Sequence, residues 1–300
     1  DEDPKFHGNQ INNLTVYNPE NISELIKKKK IQEIMLALPR ESLQYQNRIL
    51  QTLRGLKIKI RTIPSYVDLL EGKITVSDIR PLSIEDVLGR DPVIPDQKLM
   101  MQDIAKKNVL VTGAGGTIGK ELCNQILMQK PNKLIIFDHS EFNLYTILEE
   151  LKQHSSNIDQ STEIIPYLGS VTDKICVKNI LKETKPKTIF HAAAYKHVPL
   201  LERNVFEGIK NNIFGTLVLS QEAVSAKVEK FILSSSDKAV RPSSIMGASK
   251  RISEMILQAL STTQKSTIFA MVRFGNVLDS SGSVVPLFKS QIKSGGPVTV

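Results

Sequence analysis

Tryptophan is absent from these 300 residues and aromatics make up only 5% of them. The stacking faces that a nucleic-acid reader combines with a basic surface are therefore scarce, and no nucleic-acid partner is expected. Cysteine occurs twice, at Cys123 and Cys176, and neither lies in a CxxC pair. That excludes a disulfide framework, suits a reducing cytosol and leaves no metal expected. No apolar run approaches the ~18 residues of a membrane helix. The opening residues are acidic and polar, unlike a signal peptide, so this chain is expected to be cytoplasmic. They also read unlike a natural start, and residues upstream of Asp1 are expected. Internal repeats and low-complexity tracts are lacking too.

What is present is an ordinary globular mix, 41% hydrophobic and 23% charged, enough for one large domain or two smaller ones. The net charge of +8 is mostly diffuse, with one dense run at Lys27 to Lys30. That run follows Leu25 and Ile26 and reads as the solvated C-terminal turn of a helix, where lysines favour the dipole. Its rival is a patch for anionic lipid or an acidic partner.

Two α/β blocks joined by a connector can be traced. In the first, Asn18-Pro19-Glu20 is a helix-start signal for a helix to about Lys30. The run Ile31 to Leu38, a polar helix near 41–53, an alternating strand Lys57 to Ile63 and a short helix near 66–70 follow. This is half of a Rossmann-like sheet, placed at 1–76. Residues 77–106, with Pro81, Pro92 and Pro95, read as a linker. From 107 to 300 strand-like runs alternate with helical patterns, at Val109–Thr112, Leu134–Phe137, Ile164–Leu168, Thr188–His191, Phe231–Ser234 and Ile268–Val272. The expected fold class is α/β, a doubly wound parallel sheet.

The strand Val109–Thr112 runs straight into Gly113, Gly116 and Gly119, and a helix follows around Lys120 to Met128. Glycine permits the tight turn and lets a pyrophosphate approach the helix N-terminus, with Thr117 and Ile118 completing the cradle. Asp138 ends the next strand about 20 residues on, where a carboxylate takes ribose hydroxyls. That charge repels a 2′-phosphate, so NAD is expected over NADP, with His139 and Ser140 beside it. The small Ala192, Ala193 and Ala194 after the fourth strand let the cofactor lie close.

The segment Ser234-Ser-Ser236-Asp237-Lys238 to Met246-Gly-Ala-Ser-Lys250 carries the chemistry. Short-chain dehydrogenases place a hydroxyl at the fifth strand end and a Tyr-x-x-x-Lys pair on one face of the next helix. Here Lys250 is present, but Met246 occupies the tyrosine position and cannot take a proton. The segment, with Phe137-Asp-His-Ser-Glu141, His191-Ala-Ala-Ala-Tyr-Lys196-His197 and Arg273-Phe-Gly-Asn276, closely resembles the bacterial polysaccharide-biosynthesis UDP-GlcNAc 4,6-dehydratases of the extended short-chain dehydrogenase superfamily. The first block resembles the CoA-binding-like domain preceding their catalytic domain.

The resemblance implies oxidation at sugar C4, loss of water across C5 and C6, and hydride return to C6. It assigns Asp237 as acid and Lys238 as base, with Ser236 orienting the C4 hydroxyl, Asp237 or a water taking its proton, and Lys250 holding the nicotinamide ribose. A lysine base calls for burial or for nearby Lys250 to lower its pKa, and an acid calls for Asp237 to be raised. Lys196, His197, Met246 and Asn276 are the expected substrate residues, Asn276 at the UDP phosphates. Ser170 and Val171 fall at the adenine. Three departures stand out: Ser236 replaces a usual threonine, Ser170 a usual aspartate, and Asp279 a usual glycine. A homo-oligomer is implied, as are an upstream membrane anchor at the inner face of the bacterial inner membrane and a C-terminal lobe past Val300. The rival readings are a 4-epimerase, which needs only C4 redox chemistry and normally a tyrosine, and a non-catalytic NAD-binding sensor.

Overall fold

Local signals account for the first elements of the chain. The computed structural model describes residues 3–36, 53, 58–62, 80–81, 93, 95–158, 162–277, 280 and 284–299, and divides into units 1–94 and 95–300. In the first unit, β1 (Gln10–Ile11) and β2 (Leu14–Thr15) form a hairpin whose two loop residues, Asn12 and Asn13, have φ of 49° and 63°. Asparagine tolerates that left-handed backbone, which matches the strand twist. Asn18 accepts from the Glu20 N–H at 2.9 Å and caps a single turn leading into α1 (Ile22–Lys29). Lys27, Lys28 and Lys29 fill the last turn of α1, as the solvated-helix-end reading requires.

β3 (Glu33–Leu36) pairs in parallel with β4 (Lys59–Thr62), and β5 (Arg80–Pro81) adds antiparallel to β4. β5 falls in the stretch read as linker, as does α2 (Gln97–Gln102), capped by Asp96. Two short elements there lack the length for a periodic signal. The helix expected near 66–70 lies outside the described residues, as does that near 41–53 except for Leu53, which is helical and buried.

The second unit is built on a six-stranded sheet of β6 (Asn108–Thr112), β7 (Lys133–Asp138), β8 (Glu163–Leu168), β9 (Thr188–His191), β10 (Lys230–Ser236) and β11 (Ile268–Phe274). Its order is β11-β10-β9-β6-β7-β8, every pairing parallel. Such strands are covered on both faces and read as continuous apolar runs. Val109, Val111, Leu134 and Ile136 pack against Cys123 and Ile126 of α3 (Thr117–Met128) and Ile147 and Leu151 of α4 (Glu141–Ile158). Leu110, Ile135, Ile189 and Phe231 face the other way, onto α5 (Lys174–Thr184), α8 (Gly215–Ser225) and α9 (Ile245–Thr263). Between β9 and α8 run α6 (Val198–Arg203), α7 (Val205–Gly208) and a π-helical turn, Ile209–Phe214. A last helix, α10, spans Val284–Lys293.

The chain leaves β6 for β7 on one side, and β9 lies on the other. This reversal opens a crevice at the carboxyl ends of the strands, where doubly wound folds bind ligands.

Candidate active site

Two adjoining clefts occupy that crevice, of about 620 Å³ and 430 Å³. The larger is floored by the glycine turn after β6. Gly113 has φ +65°, and a Cβ there would stand 2.6 Å from the Ala193 backbone nitrogen. Only glycine allows both that backbone and that approach. Gly116 is the N-cap of α3, whose first turn, Thr117, Ile118 and Gly119, opens on the cleft. The dipole at such an end favours an anion.

Asp138, at the end of β7, is 5% exposed. Its Oδ2 accepts from the Gly115 N–H and its Oδ1 from the Ser140 N–H, each at 2.9 Å, with His139 Nδ1 at 3.4 Å from Oδ1. A carboxylate offers about four lone-pair sites, so acceptor capacity remains for ribose hydroxyls. Ser140 contributes through its backbone, and its Oγ accepts from the Asn143 N–H at the start of α4. Val171, Ala192 and Ala193 line this cleft as expected. Ser170 lines it too, with its hydroxyl engaged by Thr172 Oγ1 at 2.8 Å.

The smaller cleft is lined by Ser236, Lys238, Met246, Lys250 and Asn276, whereas Asp237 is not among its lining residues. Ser236 ends β10, and Asp237–Ala239 make a single 3-10 turn capped by the Ser236 hydroxyl, which accepts from the Lys238 N–H at 3.2 Å. Asp237 Oδ1 accepts from Ser236 Oγ at 3.0 Å and Lys238 Nζ at 3.3 Å. The Ser236 hydrogen bond and then Lys238 hold Asp237 below the ordinary carboxylate value. The raised Asp237 expected from sequence is therefore corrected, because an exposed carboxylate with two donors is stabilised in its charged form. Of the two causes offered for lowering Lys238, burial is absent, its side chain being 41% exposed. Lys238 Nζ instead reaches across to Asn276 Oδ1 at 2.9 Å, joining the ends of β10 and β11.

Met246 is 5% exposed, on the first turn of α9 capped by Ser244. The next residue, Gly247, lies against Lys238, where a Cβ would meet the Lys238 carbonyl oxygen at 2.5 Å. Lys250 follows one turn after Met246, is 8% exposed and donates from Nζ to the Ser234 carbonyl at 2.8 Å. Burial pushes its ammonium down to about 8, against an opposing pull from Glu254. Lys196 and His197 line both clefts and join them. Asp279 lies outside the described residues.

Several residues of the site carry no signal in the sequence reading. Asn211 and Glu207 form a wall of the larger cleft, and Tyr195 meets His139 edge-on at 6.0 Å between ring centroids. Buried Glu254 accepts from Ser235, Arg251 and Arg273 below the end of β10. The three-residue spacing of Arg251 and Glu254 on one helix could have hinted at that pair, whereas Arg273 lies 19 residues on.

The polysaccharide biosynthesis protein family matches residues 109–300. The capsular polysaccharide biosynthesis protein CapD of Staphylococcus aureus is 44% identical over 94% of this chain and 46% of its own length. The UDP-N-acetylglucosamine 4,6-dehydratase (inverting) of Campylobacter jejuni serotype O:23/36 is 37% identical over 64% of this chain and 57% of that protein. Among solved structures, Pen from Bacillus thuringiensis is 36% identical, with a TM-score of 0.61 over 66% of this chain and 61% of Pen. The chain spans about half the length of the first two curated relatives it matches.

Proposed function

This chain belongs to the polysaccharide biosynthesis protein family, and from the geometry of its clefts we propose that it is the catalytic part of an NAD-dependent nucleotide-sugar 4,6-dehydratase acting on UDP-N-acetylglucosamine. The observation that carries this reading is the Asp237–Lys238 ion pair, whose Lys238 also reaches Asn276 in the lining of a cleft where the tyrosine position holds Met246. An epimerase needs one acid–base group at C4. A dehydratase also needs a base at C5 and an acid at the C6 hydroxyl, and two adjacent titratable side chains suit that demand.

The fit to a dinucleotide rests on the Gly113 cradle, on the buried Asp138 and on Lys250, and the Asp138 charge favours NAD over NADP. A nicotinamide held by the Gly113 turn, Asp138 and Lys250 would supply the hydride chemistry of the reaction. The chain's residues handle the protons. Asp237 rests as a carboxylate, oriented by Ser236, and takes the C4 hydroxyl proton. Lys238 takes the C5 proton made acidic by the neighbouring ketone. Asp237 then gives its proton to the departing C6 oxygen, which leaves as water, and Lys238 returns its proton to C5. Both side chains end as they began, so the cycle balances. Lys196 and His197, at the junction of the clefts, hold the UDP. In this reading the protein works as a homo-oligomer in surface polysaccharide synthesis.

The test is mass spectrometry of UDP-N-acetylglucosamine after incubation with the protein and NAD+ in deuterated water. Loss of one water with solvent deuterium retained is expected. A product of unchanged mass but altered C4 configuration would instead establish the epimerase.

A further inference from the structure

His191 ends β9, next to Ala192 of the lining of both clefts, and takes no part in the chemistry above. It is 1% exposed, and both ring nitrogens are engaged, Nδ1 with Thr112 Oγ1 at 2.7 Å and Nε2 with Thr216 Oγ1 at 3.0 Å. The Thr216 hydroxyl donates its hydrogen to the Asn212 carbonyl at 2.7 Å. It can therefore only accept from the ring, so Nε2 carries the hydrogen and Nδ1 accepts from Thr112. Thr112 Oγ1 in turn takes the Ala193 N–H at 3.5 Å. Every bond runs one way, from Ala193 through Thr112, His191 and Thr216 to Asn212.

Asn212 closes the circuit. It is 1% exposed on the π-helical turn, a form often found at functional sites. Its Oδ1 accepts from the Tyr195 N–H at 2.8 Å, and its Nδ2 donates to the Tyr195 carbonyl and to Ser249 Oγ, each at 3.0 Å. Ser249 immediately precedes Lys250. The loop after β9 is thus gripped at Ala193 and at Tyr195 by one continuous chain of bonds.

We propose that His191 and Asn212 are positioning residues, whose single neutral arrangement fixes the Ala192–His197 loop so that Lys196 and His197 face cofactor and nucleotide sugar together. What the loop serves rests on the function proposed above; the circuit itself does not. Burial, with Lys250 nearby, holds His191 down to about 3, so the ring stays neutral across the working range. A fully satisfied buried network of this kind specifies one geometry.

The test uses Thr216→Val, which keeps the shape but leaves the His191 Nε2–H without an acceptor and the Asn212 carbonyl without that donor, alongside Thr216→Ser. We expect Tyr195 amide exchange to quicken roughly tenfold in Thr216→Val, the order of one lost buried hydrogen bond, while β6 and β7 amides hold their protection. NADH affinity and KM for the nucleotide sugar should weaken by a similar factor with kcat little changed, and Thr216→Ser should restore all three. Nitrogen-15 spectra of histidine-labelled protein should show His191 as the neutral Nε2–H tautomer down to about pH 5. An Nδ1–H or protonated ring there, or Thr216→Val exchange equal to the parent's, would overturn the proposal. The exchange, NADH-affinity and nitrogen-15 readouts need no turnover, so failure of the dehydratase reading leaves them interpretable.

Discussion

Lys250 and Glu254 stand one turn apart on α9, both buried, and take hold of adjacent residues of β10: Lys250 Nζ donates to the Ser234 carbonyl at 2.8 Å, and Glu254 Oε1 accepts from the Ser235 hydroxyl at 2.7 Å. Glu254 also pairs both oxygens with Arg273 of β11. One helix face thus sets two strand ends, and with them Asp237, Lys238 and Asn276.

The proton roles can be separated by substitution. Lys238→Ala is expected to abolish water loss, by at least the 10²-fold typical of a positioned acid or base, while NADH binding persists. Asp237→Asn should stop the reaction before C4 oxidation, so that no reduced cofactor accumulates in single-turnover absorbance. Wild-type turnover in Lys238→Ala would remove that lysine from the mechanism.

Glu254 should report on acid stability. Hydrogen bonds from Arg273 first, then from Ser235 and Arg251, hold its carboxyl down to about 2 despite burial. An unfolded glutamate titrates near ~4.3, so the contribution is fully present above that value and is lost as pH falls through about 2. Glu254→Gln should lower unfolding free energy at neutral pH by about 3 kcal/mol, the order seen when one partner of a buried ion pair is removed. Urea melts that match the parent's at neutral pH would show the network to be dispensable.

Lys250 should govern the alkaline side. Its ammonium is pushed down to about 8, below the ~10.4 of a free lysine. Between those values the unfolded chain holds a proton that the folded chain has released, so this group's contribution to stability rises with pH across the window. The same loss of charge should weaken dinucleotide binding as pH passes about 8. Calorimetric titrations are expected to show that decline in the parent and a weaker, pH-independent affinity in Lys250→Met. An unchanged pH dependence in the variant would place the titration elsewhere.

Asp138 should set cofactor choice. Asp138→Ser removes the acceptor of the Gly115 and Ser140 N–H groups and the charge facing a 2′-phosphate. NAD+ affinity should fall about tenfold, in line with losing charge-assisted hydrogen bonds, and the preference should shift toward NADP+. Competition between the two dinucleotides for the fluorescent reduced form measures this. An unaltered ratio would mean that other groups read the ribose.

Much of this protein is written in local pattern. A buried parallel strand must be apolar on both faces, so Val109–Thr112 and Leu134–Phe137 could be read directly. A glycine turn between strand and helix needs Gly113 whatever the rest of the chain does. The Asp237–Lys238 pair and the methionine where a tyrosine is usual were legible through the resemblance to known dehydratases, and the four-residue spacing puts Met246 and Lys250 on one helix face. Only the tertiary structure decided what surrounds them. Asp237 rests ionised because Ser236 and Lys238 donate to it, and Lys238 meets Asn276 across two strand ends. His191 finds Thr112 and Thr216, 79 and 25 residues away, and Glu254 finds Arg273 19 residues on. The reason is physical: hydrophobic periodicity is a property of neighbours along the chain, whereas a buried polar group is satisfied by whichever partners the closed fold brings within about 3 Å.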